Sequence, residues 1–340
     1  MSDLNVGAAA AQLRQAIERH DDIWVTTHES PDGDSIGAAL ALQIVLAGLG
    51  KRVVAIRQHP FPRQYESLPG SDMMGDAARL SELFSPQVII ACDVGSFDRI
   101  AGVLDHVGPE TVVINIDHHA GNGGPEKVCQ LLNFVDPSYA STTMLAYALL
   151  QAAWPGCIGA DSALCLYVGL ITDTGCFRFT NTKSETLRVG AELAGLGADP
   201  GGLAEQYMFR RRPEALHLLG EVLATLRFHD SGRVATLQLT HEMLRRTGAR
   251  MDETEGFVNY ATSVDGVHVA ALLREVEPGR TRVSLRSSDL VDVARIARQF
   301  GGGGHRNAAG MSVGDNIDAA RDRVLGAVLQ HLQQRPSPHA

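Results

Sequence analysis

TVVINIDHH, residues 111–119, is the stretch on which the fold turns. Six residues, five of them β-branched, run without polar alternation and stop at an aspartate and two histidines. A continuous apolar run of that length suits a strand buried on both faces, as strands of a parallel sheet are. The same grammar recurs upstream. IWVTT (23–27) ends at His28, RVVAI fills 52–56, and VIIAC (88–92) ends at Asp93. Small-residue or apolar stretches at 35–49, 141–153 and 161–171 read as helices between and after these runs. Strands alternating with helices argue for an α/β unit over residues 1–195, a mainly parallel sheet flanked by helices.

Ligands of open α/β sheets gather at the carboxyl ends of strands. His28, Asp93 and Asp117 all stand where an apolar strand runs out, so polar groups are expected to converge there. In His28-Glu29-Ser30-Pro31-Asp32-Gly33-Asp34 a Pro/Gly turn can aim His28, Asp32 and Asp34 at one point, although DxD alone also reads as a turn or helix cap. Asp93 alone would pass for an N-cap. The triplet Asp117-His118-His119 is harder to explain as packing. Asp173, in GLITDTG (169–175), follows an apolar helical stretch and is costly to bury without a partner, though a helix-terminal turn is the competing reading. Together, five carboxylates and three histidines are enough for two metals with a bridging carboxylate, a standard device of phosphoryl chemistry. An oxygen-rich set with some imidazole suits Mn²⁺ or Mg²⁺ better than thiolate-bound zinc.

The stretch 196–215 (LGADPGG, then MFRRRPE) changes character and reads as a linker of turns and short helical pieces. Beyond it, VATLQL at 234–239 alternates, and 267–276 pairs plausibly with 281–286 across a Pro-Gly turn. Those patterns predict a smaller α+β domain with antiparallel pairing over 216–335. The run Gly301-Gly302-Gly303-Gly304-His305 follows an expected helix at 291–300 and lacks the GK[ST] of a nucleotide-phosphate loop. Its free amides suit an anion cradle with His305 as donor, and Arg286 in SLRSS offers a guanidinium for phosphate. A helix is expected at 318–333, with a frayed tail RPSPHA.

Composition narrows the partners. The chain of 340 residues carries a net charge of −9, 5% aromatics and no basic run, which argues against wrapping long nucleic acid, duplex or single-stranded. Five cysteines without CxxC spacing favour neither a disulfide framework nor a thiolate zinc site. An amphipathic N-terminus without a signal-like apolar run, and no stretch long enough for a membrane span, point to the cytoplasm. The small-residue helices at 35–49 and 141–153 would suit a homodimer face as well as a core.

Once read together, His28-Asp32-Asp34, Asp93, Asp117-His118-His119 and Asp173 resemble the four motifs of the DHH phosphoesterases. GGGGH with SLRS resembles the DHHA1-type domain that accompanies them, so the likeness spans nearly the whole chain. The two-domain length is similar to the nanoRNase and pAp phosphatase group, which includes cyclic-dinucleotide phosphodiesterases. Ser30 is one departure, since Asn or Arg is commoner there, but it touches no expected ligand. The resemblance implies two metal ions, usually Mn²⁺, with Mg²⁺ or Co²⁺ as alternatives. His28 and Asp32 would hold one ion and Asp34, His118 and Asp173 the other, with Asp93 bridging. Asp117 and His119 would orient ligands or contact substrate. His305, the amides of Gly302, Gly303 and Gly304, Arg286 and, more weakly, Asn259 would grip substrate phosphates across an interdomain cleft. The substrate implied is short RNA such as pApA, pAp or a cyclic dinucleotide. A manganese pyrophosphatase, a RecJ-like exonuclease on long single strands and a non-hydrolytic nucleotide-binding regulator are the rival readings.

Overall fold

The computed structural model describes residues 4–119, 128, 130–288 and 291–333; Cys129 and the tail at 335–340 lie outside these. Two compact units divide the chain, Met1–Arg210 and Arg211–Ala340.

Among the described residues the first unit holds six strands, β1 (Asp22–Thr27), β2 (Arg52–Arg57), β3 (Gly75–Asp76), β4 (Val88–Cys92), β5 (Val112–Asp117) and β6 (Gln130–Val135). They form one sheet in the order β3-β2-β1-β4-β5-β6, parallel throughout. Successive residues of the central strands feed opposite cores, which is why their sequences are apolar without alternation. Ile23, Val25, Ile90, Ile114 and Ile116 face the helices Val6–Arg19, Gly33–Gly48, Thr142–Ala153 and Ala160–Asp173. Trp24, Ile89, Ala91 and Val113 face the other side, covered by the short helical turns Ala77–Glu82 and Phe97–Ile100.

Helix Gly33–Gly48 is buried nearly all round. It lies so close to helix Ala160–Asp173 that a Cβ at Gly37 would stand 2.4 Å from the Cys165 carbonyl. Gly37 and Gly169 thus let two helix backbones meet, bringing the start of one helix beside the end of the other. Residues 200–209, read from sequence as part of a linker of turns and short helical pieces, are helical, and Leu203 and Tyr207 are buried in the first core, with Tyr207 stacked on Tyr65 at 5.8 Å.

The second unit has strands β7 (Arg227–His229), β8 (Val234–Leu239), β9 (Val269–Glu277), β10 (Arg280–Ser287), β11 (Gly303–His305) and β12 (Ala308–Val313), in the order β11-β12-β10-β9-β8-β7. The expected β9–β10 hairpin is present. The other pairings are antiparallel as well, except that β8 and β9 are parallel. Twenty-nine residues with two helices, His241–Thr247 and Phe257–Thr262, carry the chain back between them, as a parallel crossover requires. Helices cover both faces, Val293–Arg298 and Ile317–Gln333 on one, Pro213–Ala224 and Phe257–Thr262 on the other.

Candidate metal centre

Every strand end singled out in the first unit delivers its polar residue to one place. His28 follows β1, Asp93 follows β4, and Asp117 closes β5 ahead of His118 and His119. Asp32 caps helix Gly33–Gly48, accepting from the Ser35 amide at 3.0 Å, and Asp34 lies in that helix's first turn. Asp173 ends helix Ala160–Asp173. Three overlapping groups result, each with ligand atoms within 4.8 Å of one another: His28, Asp32 and Asp93; Asp93, His118 and His119; Asp34, His118 and Asp173. Asp93 joins the first two groups and His118 the last two.

Asp93 holds a left-handed backbone conformation, φ +59°, which costs a non-glycine residue about 1 kcal/mol. That bend turns its carboxylate back over the strand ends, where Thr142 donates a hydroxyl at 3.0 Å and His118 Nε2 stands 3.6 Å away. His28 Nε2 is 3.8 Å from its other oxygen, with His28 Nδ1 2.8 Å from the Glu29 carbonyl. The Arg99 Nη2 lies 2.6 Å from that same Nδ1 and donates to the Glu29 carbonyl at 3.0 Å.

Asp34 is wholly buried and takes three donors from the start of helix Thr142–Ala153: the Thr142 amide at 2.6 Å, the Thr143 amide at 2.9 Å and the Thr143 hydroxyl at 2.6 Å. His118 turns Nδ1 to the Tyr139 carbonyl at 3.3 Å and Nε2 to Asp173 at 3.1 Å. Asp117 accepts the Gly95 amide at 2.9 Å, the His119 amide at 2.9 Å and His119 Nδ1 at 2.7 Å, fixing the second histidine against Asp93 at 3.3 Å.

The electrostatics test whether these residues suit divalent ions. Burial, then Asp173 and Asp93, pushes Asp34 well above the ordinary carboxylate range; burial and Asp93 raise Asp32 as well. Burial opposes Asp93 too, yet His119, His118 and His28 hold it below its usual value. Carboxylates this close resist ionising together unless positive charge stands among them. Imidazole and carboxylate donors aimed inward, with their outer atoms hydrogen-bonded to backbone and threonine, form the donor set of a hard or borderline divalent ion. The residues fit such ions.

Sequence reasoning missed Thr142 and Thr143, because nothing marks a helix N-terminus 108 residues from Asp34 as its anchor. It also missed Arg99, whose only signal is its place on the turn after the Asp93 strand.

The expected phosphate-binding residues lie in the second unit. The glycine run is no open loop. Gly301 and Gly302 donate their amides to Arg298 and Ala297 at the end of a helix, and Gly303–His305 is edge strand β11 on β12. The cradle reading of the Gly302 amide is therefore corrected: that amide is already bonded. A Cβ at Gly302 would stand 2.3 Å from the Gly310 carbonyl and one at Gly304 2.5 Å from that of Ala308, so close strand packing needs these glycines. The side chain of His305 lies outside what the structure describes. Arg286 is half-buried on β10, and Asn259 half-buried on helix Phe257–Thr262. Among the described residues no helix is long and apolar enough to cross a membrane.

Residues 22–170 match the DHH family, N-terminal domain, and residues 232–333 the DHHA1 domain. A bifunctional oligoribonuclease and PAP phosphatase of Thermus thermophilus is 36% identical over 326 residues, 95% of this chain and 93% of that protein. One of the same description from Bacillus subtilis is 26% identical over 92% of this chain and 96% of its own length. An exopolyphosphatase-related protein from Bacteroides fragilis superposes with a TM-score of 0.85 at 28% identity, covering 96% of both chains. RecJ of Thermus thermophilus in complex with Mn²⁺ shares the fold at a TM-score of 0.59 and 16% identity, over 99% of this chain and 56% of that one. The convergence of the strand-end aspartates and histidines and the full-length identity lead to one assignment: this chain belongs to the DHH family of phosphoesterases, with a DHHA1 domain after its DHH domain.

Proposed function

We propose that the chain hydrolyses phosphate esters of very short oligoribonucleotides and of 3′-phosphoadenosine 5′-phosphate, with two divalent ions, Mn²⁺ first among them. The observation that carries this reading is the sharing of Asp93 and His118 among three ligand groups, which gives one site two adjoining places for a cation. The full-length identity to an oligoribonuclease and PAP phosphatase supports the substrate class. His28 and Asp32 would hold one ion, Asp34, His118 and Asp173 the other, and Asp93 both.

Divalent ions held there supply activation of water and neutralisation of charge on the phosphoryl group. The chain's own residues do the rest. Thr142 and Thr143 fix Asp34, and the Tyr139 carbonyl holds His118 with Nε2 inward. Asp117 orients His119, whose side chain is 20% exposed, as a further contact for substrate. Arg286 and Asn259 of the second unit are read as substrate contacts, as are His305 and the backbone of Gly303 and Gly304, and the acidic net charge of −9 favours short substrates over long strands.

The deciding experiment is hydrolysis of pApA, pAp, a five-nucleotide RNA and cyclic di-AMP, each with Mn²⁺ and with chelator. Manganese-dependent release of mononucleotides from pApA, and of AMP from pAp, is expected. Turnover of cyclic di-AMP alone would shift the substrate class, and no turnover of any would defeat the reading.

A further inference from the structure

The last carbonyls of a helix have no partner within it and must find donors elsewhere. Helix Ala160–Asp173 meets that need in order. The Leu170 carbonyl accepts from the Thr174 amide and hydroxyl, that of Ile171 from the Cys176 amide at 2.7 Å, and that of Thr172 from the Gly175 amide at 3.2 Å. Asp173, the final residue, differs. Among the described residues its carbonyl is bonded by a side chain, the Asn181 Nδ2 at 3.1 Å.

The same nitrogen donates to the Ala140 carbonyl at 2.9 Å. Ala140 directly precedes Ser141, the N-cap of helix Thr142–Ala153. One amide therefore ties the end of the helix that carries Asp173 to the start of the helix whose threonines hold Asp34. Residues 139–143 then reach every member of one ligand group. The Tyr139 carbonyl meets His118, Ala140 reaches Asp173 through Asn181, and Thr142 and Thr143 bond Asp34.

Both neighbours of the Asn181 nitrogen are carbonyl oxygens, which only accept, so the amide can face them one way round. That orientation leaves Oδ1 buried with no hydrogen-bond partner. An acceptor left unmade inside a protein is costly, so packing alone does not account for an amide here. The backbone that delivers it is strained as well. Gly175, Cys176 and Phe177 take φ of +56°, +57° and +63° in succession, which residues other than glycine seldom do. The turn is pinned by the Arg178 and Phe179 amides on the Thr174 carbonyl and by Phe177, edge-on to Tyr167 at 6.2 Å. Strain of this kind persists where the surroundings over-determine it. Its effect is to return Asn181 to a residue eight positions earlier in the chain.

Asp173 depends on such a fixture more than its fellow ligands do. Asp34 takes three donors from outside the group, and His118 turns Nδ1 to a carbonyl. The Asp173 carboxylate lies 3.1 Å from His118 Nε2, itself a member of the group, and among the described residues no amide or hydroxyl reaches it. Its direction is set through its backbone.

We propose that Asn181 is a positioning residue of the metal centre. By holding the Asp173 helix end against the start of the helix that fixes Asp34, it sets the spacing of Asp34, His118 and Asp173 and hence the affinity for the ion held there. This rests on the two-ion reading above and deepens it.

The test titrates Mn²⁺ calorimetrically into the ion-free full chain, beside the Mn²⁺ dependence of pApA hydrolysis. Asn181→Ala is expected to weaken one of two Mn²⁺ binding steps by about tenfold, the scale on which residues that orient ligands act. The Mn²⁺ concentration for half-maximal hydrolysis should rise by a similar factor, with kcat recovered at saturating Mn²⁺, which a loss of folded protein would not give. Thr182→Val is the control. Its hydroxyl is buried in the same turn without a partner and bonds to neither helix, so Mn²⁺ affinity should stay that of the unaltered chain. Should Asn181→Ala fail to fold, Asn181→Ser, a smaller change, is held to the same outcomes. Both binding steps unchanged in the Asn181 variant, or an equal loss in Thr182→Val, would overturn the proposal. If the unaltered chain binds two Mn²⁺ and hydrolyses nothing, the substrate reading fails while calorimetry still judges Asn181. If it binds none, the two-ion reading falls and this proposal with it.

Discussion

Thr143 donates twice to one oxygen of Asp34, through its amide at 2.9 Å and its hydroxyl at 2.6 Å, and Thr142 supplies its amide to the other oxygen at 2.6 Å. A buried carboxylate is thereby locked at a helix N-terminus, where backbone dipoles favour negative charge. Thr143→Val keeps the branched shape and removes only the hydroxyl. A hydrogen bond to a charged group contributes about 1.5–3 kcal/mol, so the melting temperature should fall in the ion-free protein. Residues that orient ligands change affinity or activity by about 10–100-fold, and a loss of that order in Mn²⁺ affinity is expected by calorimetry. Unchanged affinity would mean that Asp34 is held well enough by backbone amides alone.

Gly169→Ala probes the same locus from behind. A Cβ there would lie 2.3 Å from the Thr143 methyl group, 2.9 Å from its hydroxyl and 3.0 Å from the Asp34 Cα. Overpacking of a close core costs about 1–3 kcal/mol. Because the displaced atoms are the ones that hold Asp34, turnover should fall by more than the loss of folded protein accounts for. Activity per folded molecule equal to that of the unaltered chain would show that Thr143 relaxes without disturbing the carboxylate.

Asp93 invites a substitution that separates charge from shape. At φ +59° alanine would add backbone strain of its own, whereas asparagine tolerates the left-handed region. Asp93→Asn should therefore fold, but with a lower melting temperature than the unaltered chain when ions are chelated, since burial opposes the carboxylate yet His119, His118 and His28 hold it below its usual value, so its ionised form stabilises that state. It should lose Mn²⁺-dependent hydrolysis almost entirely, because Asp93 belongs to two of the three ligand groups. Substantial residual turnover would remove Asp93 from the centre of the mechanism.

How much of this was legible in the sequence depended on the range of each signal. His28, Asp93 and Asp117 could be placed because a buried parallel strand writes an unbroken apolar run, and its end marks the ligand edge of the sheet. Strand β6 left no such mark. Its residues QLLNFV sit at the sheet edge, mostly half-buried or exposed, and read as neither an apolar run nor a clean alternation. The parallel β8–β9 pairing was illegible for another reason. Hairpin grammar sees neighbours in sequence, and Val234 pairs with Val269 across two helices. The glycine run misled because flexibility and close packing demand the same residue. Asp34 was named as a ligand, but its threonine anchors were silent until the chain folded.

The last prediction concerns pH. In the ion-free protein, burial works against the charged form of His118, yet Asp173, Asp93 and Asp34 together hold its proton up to about 10, against an ordinary value of 6.5. A raised imidazolium stabilises the folded state fully below pH 6.5, and that contribution disappears as pH climbs through 10. Asp34 and Asp32 add to the same slope from lower pH, because carboxyls raised above 3.8 favour the folded state less as they ionise. The melting temperature of the chelated protein should therefore decline across this range. Mn²⁺ needs the ring neutral and supplies the missing positive charge itself, so the loaded protein should show little slope. Binding of Mn²⁺ at pH 7.5 should also release protons, seen as a dependence of the calorimetric heat on the ionisation enthalpy of the buffer. His118→Asn should make the slope above pH 6.5 shallower in the chelated protein without abolishing it, because Asp117 and Asp93 raise His119 against its burial as well. A chelated protein whose melting temperature is level from pH 6.5 to 10 would show that the His118 proton is not what balances the aspartates around it.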